Sequence, residues 1–185
     1  MALLNGAHRL GPEAGQLLLK TSRTGLGSKA GHDLTIELTR WTAVAVVDTA
    51  SPASSSVTVD VDANSFEVRQ GTGGVKPLTD GDRADIKKTI TEKILHTARH
   101  PDIGFRSTRI SGQPDVFTVE GDLTIVGVAR PVMVQCAASA DGRVRGTATV
   151  KQSEWGIKPY SAFLGALRLK DEVEVQFEVE LPTGG

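Results

Sequence analysis

The chain has 185 residues, with 21 basic against 22 acidic side chains and a formal net charge of −1. That length fits one domain able to bury about 70% of its unfolded surface. The charge balance offers no basic field for a phosphate backbone, so nucleic acid is not expected as a partner. Cys136 is the single cysteine, which excludes an intramolecular disulfide framework and a cysteine-based zinc knuckle.

Residues 1–14 carry no hydrophobic period and are expected to form an N-terminal arm, loose or docked on a single domain spanning 15–182. They have neither the basic nor the apolar region of an export signal, and no later stretch reaches the roughly 18 apolar residues of a membrane span. A cytoplasmic protein without a transmembrane segment is the expectation. Residues 16–21 form a short apolar run of strand length, followed by the glycine-containing turn SRTGLGSKAGHD. Leu34, Ile36 and Leu38 then alternate with Thr35, Glu37 and Thr39, the period of a half-buried strand, which continues through Trp41 toward Val47. After the turn-rich DTASPASS, Val57, Val59 and Val61 alternate against Thr58, Asp60 and Asp62. A short extended piece, SFEVR, and the glycine loop GTGGVKP lead into the next element.

That element is the one clear helix. Ile86, Ile90, Ile94, Leu95 and Ala98 recur at helical spacing, and an amphipathic helix is predicted over about residues 82–99, about 25 Å long. Thr79 and Asp82 are both suited to cap it, with Lys93, His96 and Arg99 toward its last turn. Pro101 disfavours helical geometry at the residue before it, so the exit is placed at His100.

Everything beyond is strand and turn. Residues 103–110 and 116–126, separated by SGQPD, predict a hairpin. Val132, Val134, Cys136 and Ala138 alternate next, and an Asp-Gly turn at Asp141-Gly142 leads to Val144, Ala148 and Val150. The closing strand sets Val173, Val175, Phe177, Val179 and Leu181 against Glu172, Glu174, Gln176, Glu178 and Glu180. The fold class is therefore mainly β: about eight antiparallel strands in a closed barrel, with the helix packed on it.

HPDIGFRST at 100–108, VEGDLTIVGVARPV at 119–132, SEWGI at 153–157 and the closing KDEVEVQFEVEL together resemble the YceI-like family. The resemblance covers about residues 16–182 and implies a lipocalin-like barrel whose long hydrophobic tunnel binds polyisoprenoid lipid. Trp155 stands where that family usually shows Phe, and KAGHDL at 29–34 replaces the usual start of the second strand.

Other motifs weigh less. Gly25, Gly27 and Ala30 match G-x-G-x-x-A, but a strand follows where a dinucleotide fingerprint needs a helix. GTGGVKP lacks the ending of a P-loop. Glu92, His96 and His100 fall at successive i+4 positions, a metal-like spacing that Pro101 interrupts, so no metal and no cofactor are expected. Cys136 has no base in its neighbourhood and reads as a small core residue. His32 and Asp33, beside Lys29, could hold a ligand head group or serve as an acid–base pair, while the plainer role is satisfying turn backbone.

Three functions fit these residues: a carrier for a long-chain isoprenoid or similar lipid, an enzyme using His32 and Asp33 at the barrel mouth, or a filled barrel acting through its surface, with homodimerisation left open. The carrier reading is preferred. Strand parity and the matching motifs nominate Phe105, Phe117, Leu123, Trp155, Phe163, Leu164, Leu167 and Phe177 as tunnel contacts.

Overall fold

The computed structural model describes residues 2–184. Eleven strands form the main sheet: β1 (Gly6–Leu10), β2 (Gly15–Thr21), β3 (His32–Leu38), β4 (Trp41–Val47), β5 (Ser56–Asp62), β6 (Phe66–Gly73), β7 (Asp102–Gly112), β8 (Val116–Ile125), β9 (Val128–Ala138), β10 (Arg143–Lys151) and β11 (Glu172–Glu180). The hydrogen-bonded order is β1-β4-β5-β7-β8-β9-β10-β11-β2-β3-β6, and every pairing is antiparallel. The alternating residues do what their period predicts: Leu34, Ile36 and Leu38 are buried, as are Val144, Val150 and Val179.

The expected closed, eight-stranded barrel is corrected to a curled eleven-stranded sheet with two edge strands, β1 and β6. Turn chemistry breaks three long runs. Gly11 and Pro12 interrupt the first, where Ala14 N–H donates to Gly11 O at 2.9 Å. The pair 39–40 interrupts the second. At 62–65 the Asp62 carboxylate accepts from Asn64 N–H at 2.7 Å, an Asx turn that ends pairing. As a result β3–β4 and β5–β6 form one long hairpin bent in its middle, in which β4 pairs with β5 and β3 with β6. The sheet curls round an interior, yet β6 keeps one side unpaired. The N-terminal arm expected over 1–14 is likewise built into the fold: β1 pairs with β4, and Ala2–Leu3 pairs with Thr183–Gly184.

The helix α1 (Asp80–Lys88) continues as a π-helical stretch, Thr89–Ile94. Thr79 is the N-cap and shares a capping box with Asp82. The predicted span to residue 99 and the exit at His100 are corrected. The widened turn, with Leu95 N–H donating to Ile90 O at 2.9 Å, and a left-handed His96 (φ 49°) end the helix at Ile94, well before Pro101 acts. The helix covers the unpaired side of β6. Arg83 donates to Val68 O and Arg69 O at 2.8 and 2.9 Å, and Lys87 pairs with Glu67 at 2.5 Å. A sheet edge left as bare carbonyls would invite pairing with another chain, and Arg83 satisfies two of them.

Candidate functional site: an apolar cavity along the sheet interior

The curled sheet does not fill its interior. A cavity of about 1480 Å³ runs through it, reaching His32, Lys76 and Phe163 at one end and Thr49, Asp115 and Ser139 at the other. Its walls are the inward faces of the strands, chiefly Val, Leu and Ile. Such medium side chains reach too short a distance across the sheet to meet at its centre. The ordinary small-molecule site spans about 300–1,000 Å³, so this volume suits a larger, chain-like molecule.

The helix supplies part of the wall. Ile86, Ile90, Ile94 and Leu95, the stripe that identifies the helix in the sequence, all line the cavity. Its position depends on local polar bonds as well as packing. The Thr79–Asp82 box holds the first turn, and the Asp82 carboxyl lies below the ordinary carboxylate value, first because Thr79 N–H donates to it and then because the Thr79 hydroxyl does. Beyond the helix, Thr97 Oγ1 donates to Asn64 Oδ1 at 2.7 Å.

Of the nominated contacts, Phe105, Phe117, Leu123, Phe163, Leu167 and Phe177 line the cavity. Trp155 stands behind the wall: it is 2% exposed, and its indole N–H donates to Leu123 O at 3.0 Å. Leu164 points into solvent. Two of the aromatic rings occupy space left by glycines. Phe177 lies over Gly146, its cross-strand partner, and Phe105 lies over Gly121, where a Cβ would come within 2.5 Å of the ring.

The nominated head-group residues are divided. His32 lines the cavity mouth, and its Nε2 bonds Lys76 O at 2.8 Å, tying the start of β3 to the loop before α1. Asp33, next along the strand, faces away and accepts from Arg23 N–H at 2.7 Å. Lys29 is exposed and lies outside the cavity lining. Successive strand residues point to opposite faces, so His32 and Asp33 are not brought together as an acid–base pair. Among the described residues no group of three or more His, Cys, Asp or Glu is placed to hold a metal. His96 and His100 instead border a shallow recess of about 250 Å³ with Lys93 and Lys158.

Cys136 is 5% exposed and lines the cavity, and burial pushes its thiol up to about 12. The wall there carries a neutral thiol, not a nucleophile. The lining residues that sequence reasoning missed are aliphatic: Leu17 and Leu19 on β2, Val57 and Val59 on β5, and Val175 on β11. Their period-two signal was visible, but period alone does not separate a lumen from a filled core.

A model of the YceI-like domain matches residues 18–181, and the chain belongs to that family. UPF0312 proteins of Pseudomonas paraeruginosa and Pseudomonas savastanoi are similar at 26% identity over 120 residues and 25% over 129, covering 60% and 64% of this chain. The chain spans only 56% and 60% of the length of those relatives. Among solved structures, BcnA of Burkholderia cenocepacia superposes with a TM-score of 0.65 at 19% identity, covering 88% of this chain and 94% of that one. A YCEI protein of Campylobacter jejuni gives 0.58 at 16% identity, covering 81% and 85%. At such identities these likenesses speak to the fold.

Proposed function

We propose that this YceI-like chain is a binding or carrier protein that holds one long-chain apolar molecule, a polyisoprenoid or similar lipid, lengthwise in the sheet interior. The observation carrying the reading is the 1480 Å³ apolar cavity that extends from one end of the sheet to the other. Burying ~400 Å² of apolar tail at ~25 cal/mol/Å² contributes about 10 kcal/mol gross, enough to survive the cost of ordering the chain. The tail supplies the affinity, while polar groups at the mouth, His32 and the Lys76 loop among them, set orientation. The enzymatic alternative loses its acid–base pair, because Asp33 is directed to Arg23 and His32 to the Lys76 carbonyl.

Organic extraction of the purified protein followed by mass spectrometry tests the reading. A long-chain apolar molecule recovered in near-stoichiometric amount supports it. A protein that yields nothing and also takes up no prenyl probe would sink it.

A further inference from the structure

At the end of the molecule where the cavity reaches His32, four large apolar side chains face solvent. Leu26 and Leu164 are fully exposed, Val75 is 79% exposed and Phe163 70%. They lie on neighbouring loops: Gly27 N–H donates to Ala166 O at 2.9 Å, which sets the Leu26 turn against the 163–166 turn, and Val75 and Phe163 both line the cavity. The backbone enforces this exposure. Phe163 and Leu164 have φ of 51° and 53°, the left-handed region that residues with a Cβ avoid, and they precede Gly165 at 87°. The turn is closed by Ala166 N–H to Phe163 O at 3.1 Å and by Arg168 Nε to Gly165 O at 2.9 Å. Strain that pushes two large apolar side chains into water is what a contact surface needs and what a stable soluble turn avoids.

The charge on these loops is one-sided. Residues 22–32, 73–79 and 156–170 carry Arg23, Lys29, Lys76, Lys158, Arg168 and Lys170 and not one Asp or Glu, in a protein of net charge −1. Of the acids just beyond these segments, Asp33 is bonded to Arg23 N–H and lies 3.9 Å from its guanidinium, Asp82 is bonded to Thr79 and Asp171 to Ser153, while Asp80 and Glu154 stand exposed at the segment edges. Apolar side chains at a tip, with cations around them, match the boundary between acyl chains and anionic head groups.

We propose that this end docks on an anionic lipid bilayer: Leu26, Phe163 and Leu164 enter the head-group boundary, the exposed cations Lys29, Lys76, Lys158, Arg168 and Lys170 face lipid phosphates while Arg23 is held by Gly31 O and Asp33, and the cavity opens onto the membrane. The proposal rests on the carrier reading, since docking places the mouth where an apolar chain is taken up. A second copy of the chain fits the patch less well, because two cationic rims would face one another.

The full chain is tested by flotation with vesicles of phosphatidylglycerol and phosphatidylcholine against vesicles of phosphatidylcholine alone, alongside uptake of a fluorescent prenyl probe in solution. Binding is expected on the anionic vesicles, and the pair Lys158→Glu and Lys170→Glu should lower it by more than about tenfold. Leu164→Gly gives a sharper readout, since glycine accepts the turn's φ: vesicle binding should fall while Tm and probe uptake in solution hold or rise. Equal binding of parent and variants, or equal binding to neutral vesicles, overturns the docking proposal. So does a concentration-dependent dimer that Leu164→Gly dissolves in a protein that binds no vesicle. Probe uptake without vesicle binding removes docking alone, whereas vesicle binding without probe uptake removes the carrier reading beneath it.

Discussion

Gly146→Ala discriminates a hollow interior from a filled one. Gly146 pairs with Phe177 across β10 and β11, and the nearest atoms to an added Cβ are all in the Phe177 ring, so the ring must move. In a filled core that displacement would cost about 1–3 kcal/mol of overpacking. Here Phe177 borders the cavity, and the ring can swing into open space for about 0.5–1.5 kcal/mol of rotamer strain. Replacing a strand glycine by alanine returns about 0.5–1 kcal/mol. The net change is expected to be below about 1 kcal/mol, a Tm shift of about 2–4 °C at most for a domain of this size. The displaced ring would meanwhile narrow the lumen. Thermal unfolding and probe displacement should therefore diverge: near-parental Tm, affinity for a long prenyl chain reduced at least about tenfold, and a short analogue such as geraniol retained. The comparison variant is Gly121→Ala, whose Cβ would meet the Arg106 carbonyl oxygen at 2.5 Å as well as Phe105. Backbone cannot swing away, so that variant should be plainly destabilised. A large Tm loss in Gly146→Ala, or undiminished affinity for the long chain, would refute the argument.

Thr79→Ala removes the capping box and should cost about 1 kcal/mol. Because α1 is part of the cavity wall, it should also hasten release of a bound probe in stopped-flow mixing, and an unchanged release rate would separate the helix from gating. Cys136, with its thiol pushed up to about 12 by burial, should resist iodoacetamide at pH 8 in the folded protein and react promptly in denaturant; rapid native labelling would contradict the buried neutral wall. The carboxyls of Asp62, Asp82, Asp141 and Asp171 are all lowered by hydrogen bonds: from Asn64 N–H first at Asp62, Thr79 N–H first at Asp82, and the Ser139 and Ser153 hydroxyls first at Asp141 and Asp171. Groups lowered on folding stabilise above their unfolded value of about 3.9 and lose that contribution as pH falls through the lowered value. Denaturant midpoints should therefore be level across neutral pH and decline below about pH 4, and Asp171→Asn should make the acid decline shallower.

The strands were legible because one face of each is buried, and burial writes itself as alternation: Leu34, Ile36 and Leu38, or Val173 to Val179, admit one reading. The helix stripe was legible for the same reason. Its end was not, because the π-helical widening at 89–94 and the left-handed His96 depend on how the chain meets the sheet. Pro101 is a strong local signal that arrives after the helix has already ended. The strand count failed for a related reason. At 39–40 the chain turns between two apolar strands read as one, and the only trace is a switch of buried parity from Leu34, Ile36 and Leu38 to Trp41 and Ala43. Trp155 and Leu164 misled in opposite ways, one through an indole N–H that anchors it to the Leu123 carbonyl, the other through backbone dihedrals that no pattern of residue types announces.

The same edges that defeat a simple strand count explain why the helix exists. A sheet whose long hairpin bends at its middle pairs fully along most of its length but leaves β6 with one open side. Left bare, that side would expose both carbonyls and the flank of an apolar cavity. One element answers both needs: Arg83 and Lys87 reach the strand and its Glu67, while Ile86, Ile90 and Ile94 turn inward to complete the wall. The attachment is polar and partly exposed, while Ile86, Ile90 and Ile94 pack against the core cluster and also border the cavity. Low local stability is where opening motions are drawn from. Removing the Thr79 cap lowers the helix's local stability where it closes the cavity, so the Thr79→Ala release rate is the measurement that tests the helix as a gate, beside the loops that carry the exposed Val75 and Phe163.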